Sequence, residues 1–193
     1  MILFRALALP LLALLLTGCA SLASDRMAGH LRTVMLAQDD PETVRSAAPA
    51  FLLLVESMIA ESPEDPRLLA TGAELAASYG ALLDDPDRRA RLADRAYDYA
   101  RRALCAEQAP VCAALDGPFE NFSAAVAKVG PSGLENLFVF GTAWATWMEF
   151  HGGDMDAIAN LPKLEFLFAH ILSQDPGFRA GRAHLYAGAL AIL

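Results

Sequence analysis

Acidic–proline punctuation divides most of this chain into segments of helical length. It recurs as Asp39-Asp40-Pro41-Glu42, as Glu61-Ser62-Pro63-Glu64-Asp65-Pro66, as Asp84-Asp85-Pro86-Asp87 and as Gln174-Asp175-Pro176. An Asp side chain accepts hydrogen bonds from the free amides of a first helical turn, and proline fits that turn because its missing N–H is not needed there. Each cluster therefore stops one helix and starts another. Between the clusters, apolar residues recur at spacings of three and four. Phe51, Leu52, Val55, Met58 and Ile59 form one stripe; Leu68, Leu69, Leu75, Ala76 and Tyr79 form a second, over 66–83. A third carries Leu92, Ala93, Ala96, Tyr97, Ala100 and Leu104 in a helix reaching Glu107. Alanine and leucine are abundant, β-branched residues are few, and no stretch alternates apolar with polar for long. The expected fold class is all-α.

The remaining segments are read the same way. Pro49 is expected to restart or kink its helix. Residues 110–118 form a connector, and 119–129 a short amphipathic helix ended by Gly130-Pro131. Ser132 is read as the cap of the most apolar helix, which contains Leu134, Leu137, Phe138, Val139, Phe140, Trp144, Trp147, Met148 and Phe150. A helix apolar nearly all round belongs in the centre of a fold. His151-Gly152-Gly153-Asp154 stops it and caps a helix over 155–173, interrupted near Pro162. A last helix follows Pro176, with Ala180, Ala183, His184, Leu185, Ala187 and Leu190.

Helices of similar length joined by short Asp/Pro turns suit an array of antiparallel helical hairpins better than a four-helix bundle. The tetratricopeptide pattern wants a large residue late in its first helix, which Tyr79 supplies. It then wants alanine, an aromatic and alanine, which Ala93-x-x-x-Tyr97-x-x-Ala100 supplies. The loop between is about five residues too long for a repeat of about 34. In a second copy Phe166 and Ala169 fit, but Pro162 stands where alanine belongs. The repeats are degenerate and tetratricopeptide-like, and stacked hairpins of that kind present a concave binding surface.

The N-terminus carries an address. Arg5, an apolar run over 6–16 and the small pair Thr17-Gly18 lead into Cys19. That order is a signal peptide, and Leu16-Thr17-Gly18-Cys19 looks like a lipobox. The apolar run is too short for an ordinary span of about 20 residues. Residues 1–18 are therefore read as a lipoprotein signal peptide, 19–38 as a lipidated N-terminus and tether, and 39–193 as the helical-hairpin repeat domain. Residues 31–37 are read as a short first helix. Ala20 follows the cysteine, with no Asp to signal inner-membrane retention, so the outer membrane is the expected location, facing the periplasm.

Charge narrows the partners. The chain carries 23 acidic against 15 basic residues, a formal net charge of −8. That disfavours nucleic acid, which recruits Lys and Arg, and an electrostatic grip on anionic lipid. Lys128 and Lys163 are the only lysines. Arg91, Asp94, Arg95, Asp98, Arg101 and Arg102 share one helix face, with opposite charges three or four apart, as on a solvated helix. Cys105 and Cys112 close a short loop in a compartment that permits disulfides; whether they bond depends on geometry. They lack the Cys-x-x-Cys spacing of a redox pair.

Chemistry-bearing motifs are missing. His151, Asp154 and Asp156 read as a turn and a cap rather than a metal site, having no second His or Cys at ligand spacing. His170 and His184 stand alone on helices. There is no Gly-rich phosphate loop and no Gly-x-Ser-x-Gly motif. No enzyme, cofactor or metal is expected. Phe140, Trp144, Trp147 and Met148, with Phe138 nearby, are the ligand- or pore-lining candidates; core packing is the competing explanation.

Several of these features occur together in one family. They are the lipobox, Asp40-Pro41-Glu42-Thr43-Val44-Arg45 leading to Pro49, and the stop at Pro63. Asp87-Arg88-Arg89-Ala90 follows with Ala100-Arg101-Arg102-Ala103-Leu104, then Trp144-Ala145-Thr146-Trp147. Last come Asp156-Ala157-Ile158-Ala159 with Leu161-Pro162, and Asp175-Pro176 before a Gly- and His-bearing helix. In that order the chain resembles the T-component lipoproteins of tripartite ATP-independent periplasmic (TRAP) transporters. The resemblance implies a tetratricopeptide-like periplasmic lipoprotein that binds the solute-binding protein of a TRAP system and assists ligand uptake. It also implies homo-oligomers around a pore for apolar or carboxylated ligands. Such proteins usually continue through further helices, whereas this chain ends in an apolar one at Ala191-Ile192-Leu193, as a fragment or a short variant would. The competing expectation is a tetratricopeptide-like lipoprotein scaffold for envelope protein assembly.

Overall fold

Asp40, Asp65 and Asp85 perform the capping that their places before proline demand. The computed structural model describes Val34 and residues 39–191. Cys19 and the lipobox, the tether over 19–38 and the short helix expected at 31–37 lie outside the described residues, Val34 excepted. Every regular element among the described residues is helical: α1 (Pro41–Glu61), α2 (Pro66–Ala81), α3 (Pro86–Glu107), α4 (Ala109–Ala114), α5 (Phe119–Val126), α6 (Leu134–Phe150), α7 (Met155–Ala159), α8 (Leu161–Gln174) and α9 (Phe178–Leu190), with a 3-10 turn at Pro131–Gly133 before α6. No strand occurs among them.

The chain divides into two compact units, Met1–Ser46 and Ala47–Leu193. In the first, Asp40 accepts the Glu42 amide at 3.0 Å and the Thr43 hydroxyl at 2.6 Å. The Thr43 hydroxyl, then the Glu42 amide, hold the Asp40 carboxyl below its ordinary value. Arg45 and Glu42 lie 3.8 Å apart, Arg45 half-buried and Glu42 exposed.

In the second unit, Asp65 caps α2 through the amides of Arg67 and Leu68, and Asp85 caps α3 through those of Asp87 and Arg88. Each such cap stabilises its helix by about 1 kcal/mol. The inner face of α1 buries Ala48, Leu52, Val55 and Ile59. Val55 and Ile59 pack with Leu69 of α2 and Ala103 of α3. A Cβ on Gly72 would stand 2.8 Å from Ile59 Cδ1 and 3.0 Å from Tyr99 Cδ2, so glycine is what lets α2 approach so closely. Gly72 lies against Tyr99 while Gly80 lies against Leu92. Positions that rise along α2 meet positions that fall along α3, so the two helices are antiparallel. Ala93, Ala96, Ala100 and Ala103 are buried along α3 and keep both of its neighbours near.

Helix α6 is central, as its composition requires. It buries Leu134, Leu137, Phe138, Val139, Phe140, Gly141, Ala143, Trp144 and Met148. It packs on α3 and α2 and also on α8, while α9 folds back on α8. Gly141 makes the α8 contact close: a Cβ there would meet Leu167 Cδ2 at 2.7 Å and Phe168 Cζ at 3.1 Å.

Four local expectations change. α1 runs through Pro49 uninterrupted. The stretch expected as a connector contains α4, with Pro110 in its first turn, where proline costs nothing. Ser132 does not cap α6; it lies inside the 3-10 turn, and Gly133 precedes the helix with no side-chain cap. The break expected near Pro162 falls at Asn160, which leaves Pro162 in the first turn of α8.

Candidate functional site

The aromatic side of α6 is where the sequence placed its ligand-lining candidates. Tyr97 of α3 is the hub. Its ring centroid lies 5.9 Å from Phe140, 6.5 Å from Trp144 and 5.2 Å from Trp147. Phe140 and Trp144 are 5.1 Å apart, and Phe122 of α5 meets Trp144 edge-on at 6.1 Å. The helical spacing 140, 144, 147, 148 puts all four candidates on neighbouring turns. Phe140 is fully buried, Trp144 and Met148 are buried, and Trp147 is half-buried. Burial raises the Tyr97 phenol above its ordinary value of 10.0, with smaller opposed effects from Arg101 and Asp116.

Trp147 forms the rim of this cluster. It stacks on Tyr97, and on His151 with centroids 4.1 Å apart and planes 14° apart. Nδ1 of His151 lies 2.9 Å from the Trp147 carbonyl, and Nε2 lies 3.4 Å from Asp94 Oδ1. Both ring nitrogens therefore face acceptors. Asp154 donates its amide to the His151 carbonyl at 2.8 Å, which closes the turn read from the sequence. Among the described residues no three His, Cys, Asp or Glu side chains are grouped to hold a metal. His170 is buried with Nε2 2.8 Å from the Val129 carbonyl, and His184 Nε2 lies 3.0 Å from the Pro176 carbonyl. Each is held by backbone. A carbonyl can only accept, so those nitrogens carry the proton.

The arginine face of α3 is less self-contained than its spacing implies. Arg102 does pair with Asp98 one turn away, at 3.2 Å, but also donates to the Pro63 carbonyl at 2.6 Å. Arg95 reaches Glu56 of α1 at 2.6 Å, and Arg101 reaches Asp116 at 2.7 Å. Arg89 reaches Glu149 of α6 at 3.1 Å and lies over Phe150. Charges read as solvated helix pairs tie elements together at the surface. Cys105 at the end of α3 and Cys112 in α4 are joined by a disulfide, with Cα atoms 4.9 Å apart.

Two polar residues that the sequence did not single out are held inside. Arg179 forks onto Glu135 of α6 through Nε, at 3.0 Å, and Nη2, and reaches Glu74 of α2 through Nη1. It also lies over the Phe138 ring at 5.0 Å. Burial alone would pull the guanidinium down; the Glu135 and Glu74 carboxylates outweigh it and hold the group above its ordinary value. Arg179, Ala180 and Gly181 all have positive φ, at 47°, 56° and 81°. Lys163, buried on α8, donates to the Leu115 carbonyl at 2.6 Å and lies over Phe122. Burial holds its pKa below 10.5, against a smaller upward pull from Asp116. Only its rarity among the cations marked Lys163 beforehand. Nothing in the sequence marked Arg179, because Glu135 and Glu74 are 44 and 105 residues away.

The site thus offers an aromatic seam with one half-open rim and no nucleophile–base pair read from the sequence. Comparison with curated proteins finds no match. The family model of the TRAP transporter T-component matches residues 37–192, across every described helix, and the chain belongs to that family.

Proposed function

We propose that this T-component is a lipid-anchored periplasmic protein that binds the solute-binding protein of its TRAP system and assists ligand uptake. Family membership over residues 37–192 carries the reading. The lipobox supports the anchor: lipid attached to the Cys19 sulfur, and to the amine that cleavage before Cys19 frees, would hold the protein at the outer membrane, facing the periplasm. The antiparallel pairing of α2 with α3, continued by α6 on α3, supports a tetratricopeptide-like array. Within it, Trp147 is the candidate ligand contact at the rim, and Phe140, Trp144 and Met148 are the apolar residues behind it. Homo-oligomers around a pore belong to the same reading.

Two measurements test it. Crosslinking in cells followed by purification of the anchored protein should recover a TRAP solute-binding protein; clean isolation without one overturns the partner. Cys19→Ser should release the protein from membranes, and full retention after signal cleavage overturns the anchor.

A further inference from the structure

α1 has two apolar faces, and among the described residues only one of them is in the core. The inner face, Ala48, Leu52, Val55 and Ile59, is in the core. On the outer face Ala50, Leu53 and Leu54 are exposed, Leu53 by 66% and Leu54 by 44%, and Phe51 and Met58 are half-buried beside them. The spacing 50, 53, 54, 57 is a single helical stripe. Its polar members bond within the protein, although Ser57 is itself exposed. The Ser57 hydroxyl donates to the Leu54 carbonyl of its own helix at 2.7 Å, so it asks nothing of a surrounding medium. Glu56, the only charge from 46 to 60, is drawn sideways to Arg95 on α3 and is 20% exposed.

This stripe rests on the lipid-anchor reading for its setting. We propose that the outer face of α1 lies against the acyl–headgroup boundary of a neutral phospholipid bilayer, the one to which Cys19 ties the chain. By length and composition α1 could cross a membrane. Its inner face is committed to α2 and α3, so it can lie on a bilayer but not traverse one. The face carries no Lys or Arg, which anionic lipid would reward. Protein hot spots favour Trp, Tyr and Arg, and this stripe exposes aliphatic carbon instead. Two leucines and an alanine fall far short of the roughly 800 Å² per partner that a stable dimer buries. A patch so small would not hold a free protein on lipid. Twenty-one residues separate Cys19 from Pro41, and the tether makes contact intramolecular, at high effective concentration. Fully extended, a segment of that length spans about 70 Å, so α1 is well within reach of the bilayer.

The test places a photoreactive benzophenone amino acid at Leu53, at Leu54 and, as a control, at exposed Asp94 of α3, in the full chain in cells that process lipoproteins. Irradiation should add one phospholipid mass to the peptides carrying positions 53 and 54 and not to that carrying 94. Crosslinks from 53 and 54 to protein overturn the proposal, as does a lipid yield no higher than at 94. The mass of the N-terminal peptide of the same samples reads acylation at Cys19 separately. An acylated chain without lipid adducts at α1 defeats this proposal alone. Lipid adducts without acylation defeat the anchor and leave the face assigned.

Discussion

Arg179 joins three helices from a backbone conformation that few side chains adopt. Left-handed φ at a non-glycine residue costs about 1–2 kcal/mol, and Arg179 and Ala180 adopt it in succession. The guanidinium's bonds to Glu135 and Glu74 offset that strain for Arg179; Ala180 has no comparable return. Ala180→Gly should therefore be neutral or stabilising, by up to about 1 kcal/mol, the relief being reduced by the freer unfolded chain. Arg179→Met should destabilise by about 1–3 kcal/mol, since it removes the cation that Glu135 and Glu74 share, Glu135 being half-exposed and so partly rescued by water. Urea midpoints of the two variants, moving in opposite directions or with only the second shifted, would establish this; a harmless Arg179→Met would refute it. Gly141 offers a third comparison. A valine there meets Leu167 and Phe168 and should cost about 1–3 kcal/mol, read from the same denaturation curves.

At the scale of elements, the α3–α4 corner is held by the Cys105–Cys112 disulfide, with Arg101–Asp116 beside it. Closing so short a loop should stabilise the fold by about 2–3 kcal/mol in the chain-entropy account. Cys105→Ser with Cys112→Ser should lower the melting temperature by about 5–10 °C, and adding reductant to the native protein should do the same. No change with either treatment would rule the contribution out. The elements bounded by Asp-Pro were legible because cap and proline chemistry is local: α2 and α3 start where Asp65-Pro66 and Asp85-Pro86 say. α4 was hidden because six residues are too few for a periodic signal. Ser132 misled because the 3-10 turn, with Gly133 tucked against Val129 and Gln108, is set by packing from elsewhere. The partners of Arg95 and Arg101 were illegible for the same reason. Helical spacing lists neighbours on one helix, while Glu56 and Asp116 come from others. Within the candidate site, the aromatic content of α6 was plain in the sequence. Which of its rings would be sealed in and which would reach the rim depended on Tyr97 and His151.

For the whole molecule, alkaline pH brings two opposed effects into one window. Burial raises the phenols of Tyr97, Tyr99 and Tyr186 above 10.0. Stability from these groups is complete below pH 10 and lost as pH rises through their raised folded values, because the unfolded chain releases its protons first. Lys163 is depressed below 10.5. Its contribution is complete above 10.5 and lost as pH falls through the lowered folded value. Unfolding free energy should thus climb gently below pH 10, where only Lys163 acts, and fall above 10.5, where only the phenols do. Lys163→Met should abolish the climb and keep the fall, in urea titrations across that range. As a TRAP T-component the protein serves TRAP transport in the bacterial envelope. Its two tryptophans, Trp144 and Trp147, stand one turn apart on α6, both within 6.5 Å of Tyr97. Tyr97 emission should be captured by them through energy transfer, and the indole signal reports the α3–α6 seam with its α5 edge. Fluorescence and helical circular dichroism are then two different thermometers. They will register the same transition only if α1 and α9 melt together with that seam, and a gap between the curves would measure how independently the outer helices come away.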